Sequence, residues 1–220
     1  MTEGTLATRW RSAADAAGAR GDVAGAGARL LVAWAQPHRW YHDQRHLQEV
    51  LEHLDELAGV TPVSVAGPND PVTAARLAAW FHDAVYERAP DDEAASARWA
   101  GSDLAALGVQ DGLVAEVVRL VLLTATHDPP PGDVAGALLS DADLGVLAAD
   151  PGRYGRYAAD VRREWRDVPD ADFAAGRVRV LRTLLSHERL FRSPGALPWE
   201  LPARANLASE LRLLTGADEG

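Results

Sequence analysis

LQEVLEHLDELAG, residues 47–59, sets Leu47, Val50, Leu51, Leu54 and Leu57 three and four positions apart. On a 3.6-residue repeat these side chains form one apolar stripe, so the stretch predicts an amphipathic helix with Gly59 as its C-terminal stop. The same period recurs outward in both directions. VTAARLAAWFHDAVYE (72–87) follows a Gly-Pro-Asn-Asp-Pro turn and reads as a buried helix. DDEAASARWAGSDLAALG (91–108) opens on acidic residues, which suit the positive end of a helix dipole. DGLVAEVVRLVLLTATH (111–127) is apolar enough to be central, and its length favours helix over strand. DPPPGDVAG (128–136) is a rigid loop, followed by a short apolar piece through Leu147. Helices are expected near 152–166, 171–190 and 199–214, and in the N-terminal region 4–36. No stretch alternates long enough to predict a strand, and the Pro/Gly loops are short. The expected fold is therefore all-α: one helical domain over 1–220, its N-terminal (4–36) and C-terminal (152–214) helices packed on a central core.

Composition narrows the function. The chain has 220 residues, 47% hydrophobic and 25% charged, as an ordinary globular protein does. It has no cysteine, which excludes disulfides, thiolate metal sites and a cysteine nucleophile and makes a reducing cytoplasm the expected location. No apolar run reaches the ~18 residues of a membrane helix, and the N-terminus lacks the pattern of a signal peptide. A net charge of −10 argues against a polymeric nucleic acid as partner. Lysine is absent and every basic side chain is arginine, a bias from which no function follows.

Three segments hold potential metal ligands: His42 and His46 in YHDQRH (41–46), His82 and Asp83 in FHD (81–83), and Asp141 and Asp143 in SDADLGVL (140–147). Asp83 lies inside LAAWFHDAVY, where nearly every neighbour is apolar. A carboxylate buried there without a partner would cost several kcal/mol, and a cation would offset that cost. His42 and His46, four apart, are expected on one helix face, with His46 at the edge of the apolar arc. Two imidazoles with two carboxylates suit Mn, Fe, Co, Zn or Mg, and the spacing does not choose among them.

The ordered set QPHRWYHDQRHLQEVL, AAWFHDAVYE, DDEAASA, LTATH and DADLGVL, with the tail YAADVRREW, FAAGRVRVLRTLL and ARANLASEL, resembles the HD-domain superfamily of metal-dependent phosphohydrolases. It is most similar to a bacterial branch of predicted HD phosphohydrolases of unknown substrate, over most of the chain. The resemblance implies a helical HD-type bundle with metal ligands at His46, His82, Asp83 and Asp143, and with Asp141 in a supporting place. YHDQRH is also similar to the Tyr-His-Asn-x-x-His signature of cyclic-nucleotide phosphodiesterases, in which the second histidine binds metal and the first is a general acid. Those positions are His46 and His42. Asp43 replaces the signature's asparagine, which argues against a cyclic-nucleotide substrate.

Further roles follow as expectations. Glu87, one turn beyond Asp83 on a continuous helix, would position water. Arg39, His127 and Glu93 would meet the substrate, and Asp92 would be N-terminal charge on the next helix. His53, among Glu49, Glu52, Asp55 and Glu56, reads as a surface residue, while His38 and His187 carry no signal. The expected function is metal-dependent hydrolysis of a phosphate ester or anhydride, with a nucleotide as substrate and an assembly of identical chains left open. Two alternatives are a di-iron oxygenase drawing extra ligands from His127 with Glu87 or Glu93, and a nucleotide sensor that binds without turnover.

Overall fold

The computed structural model describes residues 2–61 and 70–216. Among the described residues the fold is all-α, with ten α-helices and no strand. In chain order these are α1 (Thr2–Ala16), α2 (Val23–Trp34), α3 (Gln44–Val60), α4 (Pro71–Phe81), α5 (Asp92–Ala106), α6 (Asp111–Leu123), α7 (Val134–Asp143), α8 (Pro151–Glu164), α9 (Asp170–Ser186) and α10 (Glu200–Thr215). Short 3-10 turns, Leu144–Ala148 and Pro194–Trp199, follow α7 and precede α10. No helix of the described residues is long and apolar enough to cross a membrane.

Helix α4 is the axis. Its residues Val72 to Ala75 and Leu77 to Phe81 are buried, and it packs on α1, α3, α5, α6 and α7. Asp70 caps its start through the Val72 N–H, and Pro71 sits in the first turn, where its missing donor is not needed. The stripe of α3 is buried as its spacing requires, from Leu47 to Leu57. The N-terminal pair α1–α2 closes one side. Trp10 donates its indole N–H to the Val23 carbonyl at 2.7 Å. Gly27 makes that approach feasible, because a Cβ there would lie 2.3 Å from Trp10 Cδ1. One apolar core runs from Leu6 in α1 to Leu207 in α10.

Three boundaries differ from the sequence expectation. Gly59 does not stop α3; the helix continues to Val60 and Thr61 is its C-cap. His42 is not on a helix, because Asp43 is the N-cap of α3 and accepts from the Arg45 and His46 N–H groups at 2.9 and 3.2 Å. The helix holding FHD ends at Phe81, with His82 as its C-cap, instead of running to Glu87. Side chains there take over the bonds a helix would have made. Arg39 donates to the Asp83 and Ala84 carbonyls, Ser96 accepts from the Val85 N–H, and Asp92 accepts from the Glu87 and Ala89 N–H groups.

Candidate metal centre

The ends of three helices meet in front of the core: the first turn of α3, the C-terminus of α4 and the C-terminus of α7. They bring together His46, His82 with Asp83, and Asp143. His46 Nε2 and His82 Nε2 lie 3.2 Å apart. Asp143 Oδ1 is 3.1 Å from the first and 3.6 Å from the second. Asp83 Oδ2 is 3.3 Å from His82 Nε2 and 3.9 Å from His46 Nε2. Donor atoms ~2.1 Å from a common divalent ion stand ~3.0 Å apart across an octahedral edge and ~3.4 Å across a tetrahedral one. The spacings among His46, His82 and Asp143 suit such a shell, and these three form a group that could hold a metal ion; Asp83 stands beside it, close to His82 and farther from His46.

Proton positions agree. His82 Nδ1 lies 2.9 Å from the Ala79 carbonyl, which can only accept, so Nδ1 carries hydrogen and Nε2 turns its lone pair toward the cluster. Burial works against a proton on His82, yet the Asp83 and Asp143 carboxylates outweigh it and hold its pKa well above the ordinary histidine value. Burial, helped by His82 and His42, lowers the pKa of His46 in spite of its bond to Asp143. Burial raises the carboxyl groups of Asp83 and Asp143, but the facing His82 more than reverses this, with both pKa values held below the usual range. The cluster therefore binds positive charge between its carboxylates, and a cation can take the proton's place. Trp34 lies behind His82 and Tyr41 behind His46, with ring centroids 5.3 and 4.7 Å apart.

The group opens into a cavity of about 590 Å³ lined by Tyr41, His42, Tyr86 and His127 on the centre's side. His127 has a left-handed backbone (φ 50°) and reaches Asp143 Oδ2 with Nε2 at 2.8 Å. It thus fixes the carboxylate whose other oxygen faces the two imidazoles. His42 lies at the rim, 5.6 Å from His46 between ring centroids. Its Nδ1 donates to Glu164 Oε2 at 2.7 Å, which leaves Nε2 as the nitrogen open to the cavity. Burial opposes a proton on His42, but the bond to Glu164 and the Asp83, Glu164 and Asp143 charges raise its pKa overall.

Glu164, missed by the sequence reading, anchors this rim from the end of α8. One oxygen accepts the N–H groups of Trp40, Tyr41 and His42 at 2.8, 2.8 and 2.9 Å, and the other accepts Tyr86 OH as well as His42. Burial raises its carboxyl, yet these donors pull it down to about 2.

Other expected site residues have different tasks. Arg39 is buried, donates to Gln36 Oε1 and to the carbonyls of His42, Asp83 and Ala84, and does not line the cavity. It is a strut for the two ligand-bearing loops, because its guanidinium is spent on carbonyl groups. Glu87 is exposed and outside the cavity lining, since the chain leaves the helix before it. Asp92, in the first turn of α5, is buried and folds the 87–89 loop back, while half-buried Glu93 lines the cavity. Asp141 faces away from the centre: it accepts from Arg192 N–H at 2.9 and 3.1 Å and from Ser193 N–H at 2.6 Å. His53 is not a surface residue. Half-buried, it holds the Ala142 carbonyl at 2.9 Å and packs on Trp199. Its position seven after His46, two turns along the same helix face, was the signal for this.

Among family models, curated proteins and solved structures, none matches this chain.

Proposed function

We propose that the chain is a metal-dependent phosphohydrolase acting on a phosphate ester or anhydride of a nucleotide or similar small molecule. One observation carries this: His46, His82 and Asp143 converge at 3.1–3.6 Å, with Asp83 3.3 Å from His82, at the base of a cavity whose rim holds a carboxylate-backed histidine. The HD-type order of those residues along the chain supports the same reading. A divalent ion held by the four would supply Lewis-acid polarisation of a phosphoryl oxygen and a water of lowered pKa. His127 holds Asp143 in one orientation through Oδ2. Tyr41 and Trp34 exclude water from behind the imidazoles. Glu164 keeps the His42 proton on Nδ1 in the neutral ring, and favours a second proton at Nε2, where a leaving oxygen would take it.

The oxygenase alternative asks for a second set of ligands from His127 with Glu87 or Glu93. Glu87 lies outside the cavity and His127 Nε2 is engaged by Asp143, so nothing in the geometry favours it. The deciding experiment is phosphate release by purified protein with Mn, Mg, Co, Zn and Fe supplied separately, alongside nucleotide binding. Turnover with at least one metal, abolished by chelation and restored by re-addition, is expected. Tight nucleotide binding without product would instead make the domain a sensor.

A further inference from the structure

Resting on the phosphohydrolase reading, we propose that the substrate is a monoester with a single phosphoryl group on a ring-bearing or apolar alcohol, and that Glu93 turns polyphosphates away. Four carboxylates line the cavity, Asp83, Asp92, Glu93 and Asp143, against one arginine, Arg88. Three of the four are already engaged. Asp83 and Asp143 face the histidines, and Asp92 accepts two backbone N–H groups. Glu93 takes no hydrogen bond or ion pair among the described residues, so its charge acts on whatever enters.

Arg88 is not available to an anion. Its Nη1 donates to the Glu164 carbonyl at 2.9 Å and to Asp167 at 2.5 Å, its Nη2 donates to Asp167 at 3.2 Å, and its Cζ lies 5.2 Å from the Trp165 ring centroid. No lysine exists in the chain, and positions 1, 62–69 and 217–220 contain no arginine. Arg179 is not part of this lining and belongs to neighbouring hollows. One divalent ion would offset two of the four carboxylates, which leaves the lining without excess positive charge. That balance accepts one phosphoryl dianion. Each further phosphoryl group adds at least one negative charge near Glu93, with no cation of the lining to meet it.

The apolar part of the lining fits the rest of the molecule. Val146, Leu147, Tyr157, Trp165, Val180 and Leu184 give an apolar and aromatic face, which suits a ring or hydrocarbon and offers little to a polyhydroxy chain.

The test uses the full chain loaded with its activating metal. AMP, ADP and ATP are compared by calorimetric binding and by phosphate release, and p-nitrophenyl phosphate is compared with glycerol 3-phosphate. Affinity and kcat/KM are expected to fall at least ~10-fold from AMP to ATP, and glycerol 3-phosphate should be the poorer of its pair. Glu93→Gln should narrow the AMP-to-ATP gap, chiefly through KM. Equal or better use of ATP, an unchanged gap in Glu93→Gln, or no binding of any probe would overturn the inference. Selective binding of AMP with no phosphate released from any probe would support the charge selectivity and remove the phosphohydrolase reading.

Discussion

Two buried ionic clusters stand on opposite sides of Tyr157, and they are built on different logic. In one, Arg177 Nε and Nη2 clasp the Glu210 carboxylate at 2.8 and 2.9 Å, Nη1 donates to Tyr157 OH at 3.0 Å, and Tyr154 OH donates to the same carboxylate. Charges cancel within the protein and the donors point at acceptors. In the other, two imidazole nitrogens face each other at 3.2 Å with carboxylate oxygens beside them. Those nitrogens and oxygens converge on a common point, where the carboxylates hold positive charge and a cation can replace the proton. Tyr41, packed on Tyr157 at 4.6 Å and on His46 at 4.7 Å between ring centroids, lies between the two clusters. Buried charge alone therefore says little about function; what separates a strut from a site is whether the protein itself supplies the counter-charge.

Crossed substitutions break this comparison most severely. Asp143→Ala should abolish metal binding and turnover, and with them the rise in melting temperature on adding metal, ~2.7 kcal/mol at a hundredfold excess over Kd. Arg177→Met strands the Glu210 carboxylate and should cost about 3–5 kcal/mol of stability at unchanged metal stoichiometry. Metal analysis and thermal melts with and without ion read both. A preserved metal response in Asp143→Ala would show that the converging group is only another strut. Metal loss in Arg177→Met would show that the two clusters are one unit.

The next contrast lies within the site, between the histidine proposed to hold an ion and the one proposed to meet the substrate. His42→Ala should keep the metal and lose turnover by ~10²–10⁴-fold, with part recovered on p-nitrophenyl phosphate, whose leaving group needs less protonation. Glu164→Gln sharpens this through pH. The His42 pKa is raised above its ordinary 6.5, so its share of stability is complete below that value and is lost as pH rises through the raised one. The Glu164 pKa is lowered from 4.5 to about 2, so its share is present above 4.5 and is lost as pH falls toward 2. The fold should thus be favoured by this pair between about pH 4.5 and 6.5. The Gln variant should lose that advantage, and the alkaline limb of its rate profile should move to lower pH. An unmoved limb would separate Glu164 from the proton on His42.

The parts legible in sequence were those encoded locally. The stripe of α3 follows from spacing alone, and the resemblance of short ordered motifs singled out His46, His82 and Asp143, which the fold brings together. Long-range partners left no such trace. Glu164 serves His42 across 122 positions and looks, in sequence, like any acidic residue near a helix end. The end of α4 was hidden for a related reason: VTAARLAAWFHDAVYE is periodic throughout, but Arg39, Asp92 and Ser96 satisfy the loop's backbone from elsewhere. Asp43 was legible and misread. An aspartate immediately before a helix is a capping signal, and it places His42 outside the helix.

The finest contrast is between an ion's ligand and the residue that aims it. His53 Nδ1 donates to the carbonyl of Ala142, the residue immediately before Asp143, and its ring fills the space a side chain at position 145 would need. A Cβ on Gly145 would lie 2.4 Å from that nitrogen. Helix α3 therefore carries both His46 and the residue that fixes the end of α7, so the two helices that bear His46 and Asp143 are held in register two turns away from the candidate metal centre. His53→Ala should release the carbonyl and weaken metal affinity by ~10-fold, the lower end of what orienting partners contribute. His53→Asn puts an amide N–H close to where Nδ1–H stood and should recover most of that loss. Melting temperature would fall in both variants if His53 only filled space, so the deciding readout is the metal Kd by calorimetry. An Asn variant no better than Ala, or a Kd unchanged in Ala, would reduce His53 to packing against Trp199.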